Sequence, residues 1–260
     1  MLIVLSPAKS LDFESPAKTK KFTEPAFLEE SAKLVKAARK LKPRDLSNLM
    51  SISDALAELN HARFAAWKTP FTLENAKQAL FAFQGDVYQG LNADRFTAAD
   101  LTFAQKHLRI LSGLYGVLRP LDLIQPYRLE MGRKFATKGK EDLYDFWGSR
   151  LTEKLNDEFA AERAKKRTLV NLASNEYFKS VRPKELEAEV VTPVFQDWTN
   201  GRYRVVSFYA KKARGEMAAY IIRNRVKSPA GLHDFRANGY RYSARESTDA
   251  KPVFLRKQKK

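Results

Sequence analysis

The segment Leu111–Gly132, which reads LSGLYGVLRPLDLIQPYRLEMG, most constrains how this chain can fold. Apolar residues recur at helical spacing over residues 98–111, so a helix is predicted to run into it. Gly113 and Gly116 then allow a tight turn whose backbone N–H groups are not covered by side chains. A second secondary-structure element is predicted to begin after the turn, at Val117. The pattern predicts a helix-hairpin-helix-like element over residues 98–125 that could hold a phosphate, or an ordinary glycine turn that ends a helix.

Net charge is the strongest bulk signal of the sequence. The chain has 47 Lys and Arg against 30 Asp and Glu, a formal net charge of +17. The excess is concentrated, because residues 201–260 carry 16 basic and four acidic side chains, and residues 106–140 carry eight and two. Such a field attracts polyanions over a Debye length of about 8–10 Å. It predicts a nucleic-acid partner, the alternative being a protein whose charges are merely solvated. An anionic membrane is disfavoured, because the basic segments do not form one amphipathic helix.

Composition indicates a globular protein. Apolar residues make up 44% of the 260-residue chain and aromatic residues 12%, which is too much for a disordered protein. No apolar run approaches the roughly 20 residues that a membrane helix needs. The chain has no cysteine, which excludes disulfides, thiolate metal sites and cysteine nucleophiles. We expect a cytoplasmic protein.

The order of predicted elements indicates an α+β fold, a mixed β-sheet core wrapped by helices. A helix-rich part over about residues 1–165 precedes a hairpin-rich basic part over about 166–255. Because no linker or repeat separates them, residues 1–260 are expected to form one compact domain. Helices are predicted at Phe27–Leu41, Asp54–Lys68, Leu73–Gln84, 98–111, Phe146–Arg163 and Lys211–Arg223. Strands are predicted at Leu2–Leu5, Thr168–Ala173, Val190–Asp197, Tyr203–Phe208, around Tyr240 and Tyr242, and at Val253–Leu255, with a hairpin turn at Asn200-Gly201 and a frayed tail at the last five residues, RKQKK.

Four segments resemble one known family. They are LSPAKSLDF at 5–13, the segment at 111–132, NLASNEYFK at 171–179 and FQDWTNGRYRVVSFYAKKARGEMAAYI at 195–221. Together they resemble the YaaA family of bacterial peroxide-stress-resistance proteins over essentially the whole chain. The resemblance implies a cytoplasmic protein with an uncommon mixed fold. It also implies a basic cleft that binds DNA, a helix-hairpin-helix element and a role in limiting oxidative damage linked to free iron.

Ten residues are candidate DNA contacts. The two glycines would donate backbone N–H groups to one phosphate, and the cations would supply countercharge. A cluster of cations at the start of the helix predicted over Lys211–Arg223 opposes the helix dipole, which an anionic partner would explain. Contacts of this kind set position rather than sequence, so we expect sequence-independent binding of duplex or branched DNA, the alternative being a solvated basic turn. The candidates are Lys9, Gly113, Gly116, Arg119, Arg128, Arg133, Lys134, Lys211, Lys212 and Arg214.

The first loop contains a motif with two interpretations. Ser6, Pro7, Ala8 and Lys9 spell S-x-x-K, the nucleophile motif of penicillin-binding enzymes, but the S-D-N and K-T-G motifs of those enzymes do not occur here. The simpler prediction is that Ser6 caps a helix with Pro7 at its first position. Lys9 follows a buried strand, where ligand sites of open sheets collect, so we predict that it contacts an anion.

An enzyme that processes nucleobases is the alternative function. Asn175, Glu176 and Tyr177 follow a predicted strand and offer an amide, a carboxylate and a phenol to an extruded base. Asp197 is a further candidate carboxylate. The structural interpretation of the same segment is that Ser174 or Asn175 caps a helix whose first turn contains Glu176.

No metal site and no cofactor are predicted. His61, His107 and His233 are isolated in the sequence and lack the spacing of metal ligands. The aromatic residues are expected to lie in the core or on strand faces, and Tyr240 and Tyr242 are candidates for stacking on exposed bases.

Overall fold

A computed structural model describes residues 1–137, 139–161 and 166–257. The α-helices are α1 Leu28–Ala38, α2 Pro43–Met50, α3 Asp54–Ala66, α4 Ala79–Ala82, α5 Asp86–Leu91, α6 Ala98–His107, α7 Leu143–Trp147, α8 Arg150–Ala161, α9 Asn175–Phe178 and α10 Ser207–Arg223. The strands are β1 Leu2–Leu5, β2 Ser10–Leu11, β3 Lys77–Gln78, β4 Phe83–Gln84, β5 Leu108–Ser112, β6 Gly116–Leu118, β7 Leu123–Ile124, β8 Thr168–Asn171, β9 Glu189–Val191, β10 Val194–Thr199, β11 Arg202–Arg204, β12 Arg241–Tyr242 and β13 Val253–Arg256. Short 3-10 helices lie at Ala93–Arg95, Lys179–Val181, Pro183–Glu185, Pro229–Asp234, Ala237–Gly239 and Ala244–Glu246.

The main sheet has the strand order β6-β5-β1-β8-β9. Strand β1 is parallel to β5 and to β8, β9 is parallel to β8, and β6 returns antiparallel at the edge. All four residues of β1 are buried, as expected for a central strand covered on both faces. The carboxyl ends of β1, β5 and β8 therefore meet at one end of the sheet, and the loops after them are brought together.

A second sheet has the order β11-β10-β13-β12. Its hairpin turns at Asn200 and Gly201, both with positive φ, as the Asn-Gly pair predicts. Helix α10 packs on α5 and touches both β10 and β1, so it joins the two sheets. One cluster of buried apolar side chains runs from Leu2 to Phe254. The predicted α+β class with mixed sheets is confirmed.

The helix-hairpin-helix prediction over residues 98–125 is wrong. Helix α6 stops at His107, and residues 108–112 and 116–118 form the antiparallel pair β5–β6. Pairing with β1 overrides the helical pattern, because it satisfies the backbone of β5 and buries all five of its side chains. The two glycines lie in the buried turn. A Cβ at Gly113 would overlap the Leu129 carbonyl oxygen, and one at Gly116 would lie 2.9 Å from the side chains of Leu151 and Trp147.

Other boundaries also differ from the predictions. Residues 73–84 form one four-residue helix between two short strands, because buried Lys77 and Gln78 donate to backbone carbonyls of residues 12–21. No helix follows Ser6, so the predicted cap is wrong. Helix α10 begins at Ser207, where a strand was predicted, and α2 was missed. The predicted helix end at Arg163, and the last three residues of the RKQKK tail, lie outside the described residues.

Candidate nucleic-acid interface

A cleft of about 460 Å³ lies at the carboxyl ends of β1 and β8, with α5 and α10 forming its other walls. The loop after β1 contributes Ser6–Ser10, and the loop after β8 contributes Leu172 and Ser174. Open sheets with parallel strands collect ligands at this end, because the strand ends leave loops and backbone groups free there. Residues from four separate elements therefore meet in this cleft.

Two serines join the strand loops at the cleft floor. Ser6 Oγ accepts a hydrogen bond from the Ser174 N–H at 2.8 Å and donates to Ser174 Oγ at 3.3 Å. Tyr88 Oη, from α5, donates to the Ser6 carbonyl at 3.0 Å. Ser174 stands at the start of α9 but makes no side-chain capping bond. Both hydroxyl groups thus fix the shape of the floor.

Three of the predicted cations line this cleft although they are far apart in the sequence. Lys9 comes from the loop after β1, and Lys211 and Arg214 come from α10. Lys9 and Lys211 are exposed, whereas Arg214 is half-buried. Lys211 and Arg214 lie in the second and third turns of α10, which starts at Ser207. The argument from the helix dipole therefore does not apply to them.

Arg214 is the unusual member of this group. Among the described residues, none forms a salt bridge or hydrogen bond with its guanidinium group. Burial lowers the pKa of the Arg214 guanidinium below its ordinary value. A desolvated cation without a countercharge is costly, and an anion bound in the cleft would relieve that cost.

A second group of cations surrounds the buried carboxylate of Glu130. Its Oε1 lies 3.3 Å from Lys9 Nζ and 3.3 Å from Arg128 Nη2, and its Oε2 lies 3.6 Å from Arg133 Nε. The Glu130 side chain is 5% exposed, and Oε2 accepts no hydrogen bond from the described residues. One carboxylate thus faces three cations, which leaves a local positive excess beside the cleft.

The fold also brings a second carboxylate and a phenol to the cleft. Glu176 Oε1 accepts a hydrogen bond from the Gly132 N–H at 2.9 Å. Tyr177 is buried in the wall, and burial raises the pKa of its phenol well above the ordinary value, so the group stays protonated and can donate. Asn175 is exposed on α9 and is not part of the cleft lining.

Several predicted contacts lie elsewhere. Gly113 and Gly116 are buried in the β5–β6 turn and present no N–H group to a phosphate strand. Arg119 lies in a different cavity, at the amino ends of β1 and β5, and is paired with Asp122 at 3.0 Å. Lys134 and Lys212 are exposed outside the cleft lining.

Two other predictions concern the second sheet. Asp197 is 2% exposed and accepts hydrogen bonds from Tyr240 Oη at 2.8 Å and Arg256 Nε at 2.6 Å. These contacts give it a structural role. Tyr240 is 1% exposed, so the prediction that it stacks on bases is wrong. Half-buried Tyr242 stacks on His233, and base stacking by Tyr242 stays a prediction.

Sequence reasoning missed Glu130 and the serine bridge. Ser6 and Ser174 each follow a predicted strand, so parallel pairing of those strands would have placed them together. Glu130 carried no comparable signal, since a single acid inside a basic segment has many possible partners. Within the described residues, no group of three or more His, Cys, Asp or Glu is placed to hold a metal ion, and no helix is both long and apolar enough to cross a bilayer.

Comparison with known proteins gives matches along nearly the whole chain. The family model described as peroxide stress protein YaaA matches residues 1–246. The chain is 55% identical over 257 residues to a UPF0246 protein of Burkholderia vietnamiensis, with 99% of each chain covered. It is similar to the same extent, 55% over 257 residues with 99% coverage of both, to a UPF0246 protein of Paraburkholderia xenovorans. A UPF0246 protein of Burkholderia multivorans is 54% identical over the same length and coverage.

Proposed function

The chain belongs to the peroxide stress protein YaaA family, and from that premise we propose that it binds duplex or branched DNA through the cleft between β1, β8, α5 and α10. Membership of this family supports a role for the protein in oxidative stress. The finer proposal is that a cytoplasmic protein grips DNA largely independently of sequence and thereby limits iron-dependent oxidative damage.

The observation that carries the proposal is the half-buried Arg214 guanidinium, which has no described partner and lies beside Lys211 and Lys9 in one cleft. Guanidinium groups bind phosphate oxygens through paired N–H donors, and such charge-assisted hydrogen bonds are about twice as strong as neutral ones. A phosphate placed there would contact cations from both walls of the cleft. Its oxygens would also accept the hydrogen bonds that the buried Arg214 guanidinium no longer donates to water.

Sequence independence follows from the kind of group that lines the cleft. Its cations contact phosphate oxygens, which every DNA sequence presents alike. Lys134 and Lys212 are exposed cations outside the cleft lining and add to the positive charge of the protein surface. Residues 201–260 carry 16 basic and four acidic side chains, and this excess attracts DNA to the protein at low salt.

Replacing both α10 cations, Lys211→Ala with Arg214→Ala, should weaken binding to every duplex by a similar factor. A hydrogen bond to a charged group contributes about 1.5–3 kcal/mol, so we expect about tenfold or more per lost contact. The slope of log K against log salt should become shallower by about 2, because each phosphate contact contributes about 0.9. Fluorescence anisotropy with labelled duplexes of two sequences and a four-way junction, at several salt concentrations, measures both quantities.

The matched control removes the same charge elsewhere. Lys154 on α8 pairs with Glu158 near the amino ends of the main strands, and exposed Lys184 follows β8; neither lines the cleft. Lys154→Ala with Lys184→Ala should leave the slope nearly unchanged. An equal loss in control and cleft variants would contradict the proposal. So would duplex RNA that displaces bound DNA at equal or lower concentration, since this would indicate an RNA-associated factor.

One observation favours nucleobase processing as a second candidate function. A cleft that bound only a phosphate backbone would have no need of carboxylates, yet Glu130 and Glu176 both line it. With Tyr177 they could hold an extruded base, the phenol donating and the carboxylate accepting a hydrogen bond.

If the protein is such an enzyme, Glu176→Gln should lower turnover by about 100-fold or more, the usual contribution of a general acid or base, while DNA binding persists. Incubation with DNA followed by mass spectrometry of released or altered bases measures turnover. Absence of any product from the unmodified protein would exclude this second function under the conditions used.

A further inference from the structure

The β10–β11 hairpin presents two aromatic rings to solvent. Trp198 and Tyr203 lie directly opposite each other in the antiparallel pair, with ring centroids 4.9 Å apart. They are 41% and 37% exposed. Because side chains alternate along a strand and the neighbouring Asp197 is buried, both rings lie on the outer face. Aromatic rings of this size are normally covered, so the exposed pair requires an explanation.

Cations accompany these rings, and the adjacent acidic residue, Asp197, is buried on the other face of the sheet. Lys257 Nζ lies 5.4 Å from the centre of the Trp198 ring. Exposed Arg202 and Arg204 flank Tyr203 on β11, the edge strand of its sheet, and alternation turns their side chains to the other face of the hairpin. Residues 198–215 include five Lys or Arg and no Asp or Glu. The hairpin therefore presents an aromatic pair in contact with Lys257, and its edge carries two further cations.

Two further exposed apolar side chains follow the hairpin in the sequence. Phe208, in the first turn of α10, is 56% exposed, and Val205 just before the helix is 54% exposed. Phe208 and Lys211 are three residues apart in one helix, so their side chains are neighbours on its surface. Lys211 lines the cleft. Only residues 205 and 206 separate the hairpin from the helix that supplies Lys211 to the proposed phosphate site.

We propose that this hairpin surface, formed by Trp198 and Tyr203 with Lys257, binds unpaired bases of single-stranded DNA. The inference rests on the proposed function and names the form of DNA that the site adds to it. Rings stack on bases of any sequence, and flanking cations follow the phosphate backbone, which is how proteins hold single strands. A strand leaving a duplex in the cleft, at a fork or a frayed end, would pass onto the hairpin.

Charge and shape favour a nucleic acid over a lipid surface. A membrane-binding helix needs a free apolar face, but the apolar residues of α10, including Met217, Ile221 and Ile222, are buried and the helix packs on α5. The exposed rings belong instead to a two-stranded edge with arginines on both sides of Tyr203.

The test uses Trp198 as its own reporter. The other two tryptophans, Trp67 and Trp147, are 5% and 0% exposed, so a quenching strand reaches Trp198 alone. Adding short oligo(dT) to the full-length protein should quench this fluorescence, whereas a fully paired hairpin duplex should quench it far less. Trp198→Ala should weaken binding of labelled oligo(dT) by about tenfold, and Trp198→Phe should retain most of the affinity. Duplex affinity should stay within about twofold of the unmodified protein.

The control is Phe22→Ala, because Phe22 is 46% exposed but belongs to neither surface. Equal quenching by duplex and single strand, or an equal loss in the Phe22 variant, overturns the inference. If duplex binding depends on Lys211 and Arg214 while Trp198 does not respond to oligo(dT), the hairpin site is wrong and the proposed function stands. If neither DNA binds, both fail. Trp198 emission that shifts to the blue with phosphatidylglycerol vesicles, without a response to oligo(dT), would assign the surface to a membrane and overturn it as well.

Discussion

Gly215→Ala should lower the free energy of unfolding by about 3 kcal/mol or more, although alanine is the better helix former. Gly215 lies where α10 crosses α5. A Cβ there would overlap the carbonyl oxygen of Val87 and would lie 2.7 Å from the Leu91 nitrogen. Both neighbours are backbone atoms, which cannot rotate away as a side chain can. The two helices would have to separate.

The opposite side of the crossing is equally close. A Cβ at Gly90 of α5 would overlap the Lys212 carbonyl oxygen and lie 3.0 Å from the carbonyl carbon. Glycine on both helices lets their backbones touch, and that contact positions the α10 cations against the α5 wall of the cleft. Separation of the helices should therefore also weaken DNA binding in whatever fraction of the variant stays folded.

Urea unfolding followed by circular dichroism measures the stability of the Gly215 variant. The control is Gly139→Ala, because a Cβ at Gly139 meets no atom of the described residues within 4 Å and its φ of +76° opposes the change. That change should cost about 1 kcal/mol, the price of the left-handed backbone. Stabilisation of the Gly215 variant by about 1 kcal/mol, the helix-propensity effect alone, would show that the close crossing is not formed in solution.

The fold was predictable where local pattern and tertiary environment agree. The buried strand β1, the helices α1 and α3, and the Asn200-Gly201 hairpin were all predicted at or near their observed bounds. In each case the periodicity, the flanking turn residues and the final burial indicate the same element. The resemblance to the YaaA family is confirmed by the family match over residues 1–246.

Prediction failed where pairing far along the chain decided the element. Leu108 and Leu111 fit a helical stripe, but they also fit a strand buried on both faces, and only β1 decides between the two. Lys77 and Gln78 look like solvated helix residues, yet they are buried because carbonyls of the segment after β2 accept their hydrogen bonds. No local property of the sequence contains that information.

The sequence predicted only part of the candidate site, because contacts between distant residues decide which side chains come together. Lys9, Glu176, Lys211 and Arg214 were chosen separately as residues beside strands or helix starts, and the fold brings all four to one cleft. Arg119 was chosen from charge alone, and Asp122 accounts for it locally. Charge indicates which residues can bind an anion, whereas only the fold shows which of them still lack a partner.

Glu130→Gln should lower the free energy of unfolding by about 3 kcal/mol and at the same time tighten DNA binding. Lys9, Arg128 and Arg133 all lie within 3.6 Å of its carboxylate, and Arg128 is mostly buried. Removing the negative charge leaves that guanidinium uncompensated, which destabilises the fold. The same change frees Lys9, whose side chain is 61% exposed, to contact a phosphate.

A variant with a damaged fold would lose both stability and DNA affinity, whereas the Glu130 variant is expected to lose stability and gain affinity. Urea unfolding measures the stability of the variant, and fluorescence anisotropy with a labelled duplex measures its affinity for DNA. Added inorganic phosphate should raise the melting temperature of the Glu130 variant more than that of the unmodified protein, because the ion replaces the lost negative charge. Glu158→Gln is the matched control, because it removes a carboxylate 2.7 Å from buried Arg109 at the far end of the sheet. It should lose stability without any gain in affinity. If both variants lose affinity together, the cations around Glu130 do not contribute to the DNA-binding surface, and stability alone explains their effects.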